Sequence, residues 1–172
     1  MKLSSLYHTF LSKLNKDIKI LEVGCNIGKQ LEILKSAGFN NLWGIDINEK
    51  ALYVAKNNKK FNIVYGSAFD LPFKDNFFDL VFTSFVLIHI HPDDEAKAIR
   101  EMYRVTNKYI FGIEYFSEEC EEVVIRGHKN RCWKRNFPSL FRKEYPKLAI
   151  MKKKQLPYLR DKNVDIIYLL KK

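Results

Sequence analysis

Residues 18–28, IKILEVGCNIG, constrain the fold of this chain more than any other stretch. An apolar run stops at Gly24, passes through a short polar turn and restarts as a helix after Gly28. Ile18, Ile20, Leu21 and Val23 are mostly β-branched and nearly continuous in apolarity, the pattern of a parallel strand covered on both faces. The two glycines let the backbone turn and approach a ligand, with the free N–H groups of the next helix directed at it. Glu22 precedes the turn, and a second strand, LWGIDIN, places Asp46 about 20 residues on, as in nucleoside-binding βαβ units. A dinucleotide pyrophosphate would ask for a denser glycine run and would not welcome the Glu22 carboxylate.

With 172 residues the chain is expected to form a single domain, 1–172, with one compact site. Charge is uneven. Residues 1–125 hold 15 Lys and Arg against 17 Asp and Glu, whereas residues 126–172 hold 15 against 3, so an anionic partner would meet the basic C-terminal segment. Cys25, Cys120 and Cys132 form neither a disulfide framework nor a CxxC metal pair, so no metal is expected and a reducing cytoplasm is the default. The first 16 residues are basic and free of acids but lack arginine, a long apolar core and a small-residue cleavage site. Leu3, Leu6, Tyr7, Phe10, Leu11 and Leu14 fall at helical spacing, so an amphipathic helix is expected over 1–16 rather than a targeting peptide. No run of 18 apolar residues exists, which predicts no membrane span.

The remaining elements follow from pattern. A helix is expected over 28–37, closed by Gly38, then a strand NLWGID, a helix over 48–60 and a strand FNIVYG. SAFDLPFKDNFF reads as a loop, and DLVFTSFVLI as a fourth strand. Pro92, Asp93, Asp94 and Glu95 open a helix that carries Arg100 and Arg104 toward its end. KYIFGIEYF is a fifth strand, followed by a short helix FPSLFRKEY and two strands, KLAIMKKKQLPYL and VDIIYLL. Alternating β and α with a terminal two-strand unit predicts an α/β, doubly wound sheet with an antiparallel end.

EVGCNIG, GIDIN and GSAFDLPFKDNFFDLVFTSFVLIHI, in this order and spacing, resemble the four motifs of class I S-adenosylmethionine-dependent methyltransferases. More narrowly, VLIHIHPDDEAKAIREMYRV, IEYF and RGHKNRCWKRNF resemble the small methylases associated with pseudaminic acid biosynthesis. The resemblance implies a Rossmann-like seven-stranded sheet in the order 3-2-1-4-5-7-6, with the last strand antiparallel. It implies S-adenosylmethionine as cofactor and S-adenosylhomocysteine as product. Gly24, Asn26 and Gly28 would then lie along the methionine moiety, with Glu22 beside them, Asp46 would accept from both ribose hydroxyls, and Ile47 would pack on the adenine. Thr83 and Ser84, at the end of the fourth strand, join this set. Two departures stand out: Asn26 replaces the middle glycine, and Ser67 replaces the aspartate that usually reads the adenine amino group. Ser67, Asp70 or the Ala68–Phe69 backbone would take over that reading.

Methyl transfer from a sulfonium needs alignment in a dry site rather than a metal. A hydroxyl acceptor would also need a general base, for which His89, Glu114, Tyr115 and His128 are the candidates; a carboxylate acceptor would need none. A structural role competes at His89, which ends a buried strand, and at Glu114. Arg126, His128, Lys129, Arg131, Lys134 and Arg135 form a basic group interleaved with Trp133 and Phe137. Arg126 and Arg135, with Lys134, Phe85 and Tyr115, are expected to hold a small anionic substrate, by resemblance a nucleotide sugar or sugar acid related to pseudaminic acid. RNA is the second expected partner, and a cofactor-binding scaffold without catalysis the third reading. Cys25 is expected to be a small filler of the glycine turn.

Overall fold

The computed structural model describes residues 3–57, 61–158 and 163–172. Its elements are α1 (Leu3–Leu11), β1 (Lys19–Val23), α2 (Lys29–Ser36), β2 (Asn41–Asp46), α3 (Glu49–Asn57), β3 (Asn62–Tyr65) and β4 (Phe78–Ser84). A 3-10 turn (Leu87–His89) leads to α4 (Glu95–Val105), β5 (Thr106–Tyr115), β6 (Glu121–Glu122), β7 (Trp133–Lys134), α5 (Phe137–Glu144), β8 (Ala149–Pro157) and β9 (Val164–Lys171). The expected helix ends at 1–2 and 58–60, and residue 159 of the expected sixth strand, lie outside the described residues.

Seven strands form one sheet in the order β3-β2-β1-β4-β5-β9-β8. Numbered without the short β6–β7 ribbon, this is the expected 3-2-1-4-5-7-6 order. The first five strands run parallel, and β9 is antiparallel to both β5 and β8. The near-continuous apolarity of the central strands has a direct cause: each face packs its own core. Leu80 and Phe82 of β4 point into a layer with Leu6, Phe10, Leu31 and Leu34, whereas Val81 between them points into a layer with Ile99, Met102 and Phe141. Helices α1 and α2 therefore cover one face, and α4 and α5 the other.

One expectation is corrected. The fourth strand does not run through FVLI. Phe85 has a φ of 56°, which breaks the extended backbone and folds residues 86–90 back over the sheet end as a turn. The basic stretch, in turn, is a hairpin. β6 pairs with β7, and Ile125 and His128 exchange backbone hydrogen bonds around Arg126 (φ 50°) and Gly127 (φ 80°). Two successive positive φ values define a tight turn of the hairpin-favouring type, with glycine at the second position.

Candidate functional site

The site lies at the carboxyl ends of β1, β2 and β4, where an open parallel sheet leaves its crevice. A cavity of about 430 Å³ is lined by Gly24 and Asn26 of the first turn, Asp46 and Ile47 after β2, Ser67, Ala68 and Phe69 after β3, and Ser84, Phe85 and His89 after β4. Four loops of different strands thus bring together most of the cofactor residues expected from sequence. Val23, Ile45, Gly66, Val86 and Ile90 complete its wall.

Each turn has a local reason. Gly24 (φ 75°) lies so close to Val86 that a Cβ would fall 2.5 Å from Val86 Cγ2; the first turn and the 86–90 turn interlock there. Asn26 stands in the left-handed region at φ 49°, a conformation asparagine tolerates, and its side chain accepts from the N–H of Ile27 at 2.8 Å. Asp46 Oδ2 accepts the Asn26 N–H and Oδ1 the Asn48 N–H, both at 2.8 Å, so the carboxylate is fixed before any ligand arrives. Ser67 Oγ accepts the Phe69 N–H at 3.2 Å, closing the third loop. Ile47 remains 67% exposed at the cavity edge, an apolar surface for a flat ring.

Beside this cavity a smaller one of about 270 Å³ is lined by Glu22, Gly24, Asn26, Gln30 and Ser84 among others. Glu22 Oε2, Gln30 Oε1 and Ser84 Oγ are buried there without a hydrogen-bond partner. Burial, then the charge of Asp46, pushes the Glu22 carboxyl well above the usual range. Three orphaned oxygens, one of them on Glu22 itself, lie beside Asp46 as a set of acceptors awaiting a donor. A sulfonium amino acid with a free ammonium, joined to a ribose and an adenine, fits this donor-hungry floor, the fixed Asp46 and the apolar Ile47.

A third cavity, about 500 Å³, is lined by His89, Ile125, Arg126, His128 and Arg131. His89 is therefore a wall shared with the 430 Å³ cavity. Its Nδ1 lies 2.8 Å from the Arg131 carbonyl oxygen. A carbonyl only accepts, so Nδ1 carries the proton of that bond, and in the neutral ring the lone pair is on Nε2. Arg131 belongs to the basic group noted in the sequence, yet its backbone, not its charge, makes this contact.

Several expected site residues are placed elsewhere. Glu114 is fully buried and its carboxyl accepts the N–H groups of Val86, Leu87 and Ile88, so it touches no cavity. Arg135 is likewise buried, pairs with Glu95 and donates to the carbonyls of Leu87 and Ile90; none of its charge faces a substrate. Lys134 donates to Asn163, anchoring the hairpin to the start of β9. Tyr115 packs its ring against Phe85, 5.5 Å between centroids, behind the cavity. Thr83 is buried one residue behind Ser84, on the face that strand alternation turns away. Gly28 lines neither cavity; at φ 84° it starts α2. Among the described residues no group of three or more His, Cys, Asp or Glu is placed to hold a metal ion.

The sheet order, with a crevice at the strand ends and a backbone-held acid at the end of β2, defines a Rossmann-like fold of the class I methyltransferase type. The methyltransferase domain family matches residues 21–109, just over half of the chain, and the chain belongs to that family, whose cofactor is S-adenosylmethionine. An uncharacterized methyltransferase of Staphylococcus carnosus is 29% identical over 117 residues, covering 66% of this chain and 56% of that protein. The chain spans between about a third and somewhat over half of the length of such curated relatives. An S-adenosylmethionine-dependent methyltransferase from Methanosarcina mazei superposes with a TM-score of 0.79 at 20% identity, covering 100% of this chain and 99% of its own. A Burkholderia thailandensis 1,6-didemethyltoxoflavin-N1-methyltransferase, solved with bound 1,6-didemethyltoxoflavin and S-adenosylhomocysteine, gives a TM-score of 0.76 at 14% identity, covering 98% of this chain and 76% of its own. Among the described residues, no helix is long and apolar enough to cross a membrane.

Proposed function

We propose that this chain transfers a methyl group from S-adenosylmethionine to a protic group on a small anionic acceptor. The observation that carries the reading is the position of His89, which walls both the cavity with Asp46 and the basic cavity with Arg126 and His128. When bound, the cofactor supplies a methyl group activated by a positively charged sulfur. Asp46 receives the ribose hydroxyls, Ile47 and Phe69 flank the adenine, and Glu22, Gln30 and Ser84 receive the ammonium. Arg126 and Arg131 draw the acceptor's anionic end into the basic cavity, since guanidinium forks bind phosphate and carboxylate in pairs of hydrogen bonds. His89 Nε2 then takes the proton that the acceptor hydroxyl loses as it is methylated.

The resemblance of VLIHIHPDDEAKAIREMYRV and RGHKNRCWKRNF supports a nucleotide sugar or sugar acid related to pseudaminic acid as that acceptor. The test is calorimetry with S-adenosylhomocysteine, followed by a cofactor-consumption assay on nucleotide sugars and sugar acids. Binding and turnover, with turnover reduced by Arg126→Ala, are the expected results. Cofactor binding without turnover on any anionic acceptor would point to the scaffold reading. Tight RNA binding with a steep salt dependence, abolished by changing Arg126 and Arg131 together, would overturn the small-molecule reading.

A further inference from the structure

The turn that carries His89 is a single 3-10 turn, Leu87–His89, preceded by the positive φ of Phe85. So short a helical segment has little stability of its own. Two buried ionisable side chains grip it. From below, Glu114 on β5 accepts the N–H groups of Val86 and Leu87 at 3.3 Å and of Ile88 at 3.4 Å. From the hairpin side, Arg135 donates to Leu87 O at 3.1 Å and to Ile90 O at 2.6 Å, with Glu95 as its ion partner. The acid meets the N–H end and the guanidinium the carbonyl end, the polarity a helical turn prefers.

An acid and an arginine placed this deep are poor choices for stability alone, because apolar side chains of similar volume fill such space at lower desolvation cost. Their bonds specify geometry instead. Arg135 follows β7, and four residues earlier on the same hairpin the Arg131 carbonyl receives His89 Nδ1. The hairpin therefore fixes the backbone on both sides of His89 and the ring as well. We infer that Glu114 and Arg135 are positioning residues, clamping turn 86–90 so that His89 donates from Nδ1 to Arg131 and presents Nε2 at the wall between the two cavities. This rests on the proposed role of His89 as proton acceptor.

The experiment is long-range proton–nitrogen NMR of the His89 imidazole, which distinguishes its two neutral tautomers directly. It compares the wild type with Glu114→Gln, Glu114→Leu, Arg135→Met and Glu95→Gln, the last altering the partly buried ion partner of Arg135. The wild type is expected to show the single tautomer protonated on Nδ1. Glu114→Gln, which keeps an acceptor oxygen, should retain that signature, whereas Glu114→Leu and Arg135→Met should lose it to averaged shifts, and Glu95→Gln should weaken it. A wild type protonated on Nε2 overturns the clamp even if the core variants do not fold. So does an unchanged tautomer in Glu95→Gln or in any folded Arg135→Met or Glu114→Leu protein. Calorimetry of the wild type with S-adenosylhomocysteine separates the two ideas: no binding there sinks the methyl-transfer reading and leaves the clamp standing.

Discussion

The backbone N–H of Asn26 donates to Asp46 Oδ2 at 2.8 Å, tying the turn after β1 to the acid that ends β2. Asn26 reaches it because its left-handed backbone, φ 49°, turns the amide toward the neighbouring strand end. Oδ1 is held by Asn48, so both oxygens have a fixed direction and each keeps a lone pair for a ligand. Ordering of this carboxylate is complete before binding, which lowers the entropic cost of capturing a vicinal diol.

Asp46→Ala removes the charged acceptor proposed for the ribose and frees the Asn26 turn. Hydrogen bonds to charged groups contribute about 1.5–3 kcal/mol, so the affinity for S-adenosylhomocysteine is expected to fall about ten- to a hundredfold in calorimetry. An unchanged dissociation constant would remove Asp46 from the cofactor site.

Gly24→Ala tests the interlock of the two turns. The new Cβ would meet Val86 Cγ2 at 2.5 Å and would sit at φ 75°, strained for any residue with a side chain. Overpacking and backbone strain together predict a loss of about 2–4 kcal/mol in urea unfolding. Adding Val86→Ala relieves the clash and leaves the strain, so the double variant should recover part of the loss. Strict additivity of the two changes would show that the turns are not in contact.

The strands were legible because each apolar run is bounded by a glycine, an acid or a turn former, and β2 occupies the expected Asn41–Asp46. The crevice followed from strand order. What pattern alone could not reveal was direction. FVLI has the composition of a strand, yet the chain leaves the sheet at Phe85, held by the Glu114 carboxyl and by an N–H bond from Phe85 to Ile113 O at 2.8 Å. Glu114 and Arg135 have the chemistry of ligand-holding groups and are consumed by backbone partners far along the chain. The hairpin strands are two residues each, too short for alternation, and only the Arg126–Gly127 pair marks the turn. Arg104 shows the same limit: placed by sequence as a favourable helix-end charge, it also donates to Leu71 O, Phe73 O and Asp75, pinning the loop after β3.

Cys25 is expected to be inert despite its place in a glycine turn. Burial first, then the charges of Glu22 and Asp46, push its thiol up to about 12, where almost no thiolate exists at neutrality. Cys132 is buried as well, and Cys120 is exposed. A thiol reagent should therefore modify Cys120 alone in the native protein and all three cysteines after unfolding. Rapid labelling of Cys25 in the folded state would contradict its packing against Gly44.

Stability should decline as pH rises toward neutrality. Burial lifts the Glu114 carboxyl from 4.5 to about 7, against the opposing pull of its backbone N–H donors, and lifts Asp165 from 3.8 to about 6. An acid whose folded value exceeds its unfolded one holds its proton more tightly when folded. The folded state then binds more protons between the two values, and stability falls with rising pH across that window. For fully buried Glu114 the loss is on the order of 3 kcal/mol, complete above about pH 7. Glu101 works in the other direction. Its hydrogen bond from Arg104 lowers its carboxyl, so its contribution is lost as pH falls below the ordinary value of 4.5. The melting temperature is expected to peak at about pH 4 and to drop toward about pH 7. Glu114→Gln, which cannot ionise, should flatten the slope between about pH 5 and 7, and Asp165→Asn should flatten its lower part. Parallel profiles for the wild type and both variants would mean that neither acid titrates differently in the folded and unfolded states.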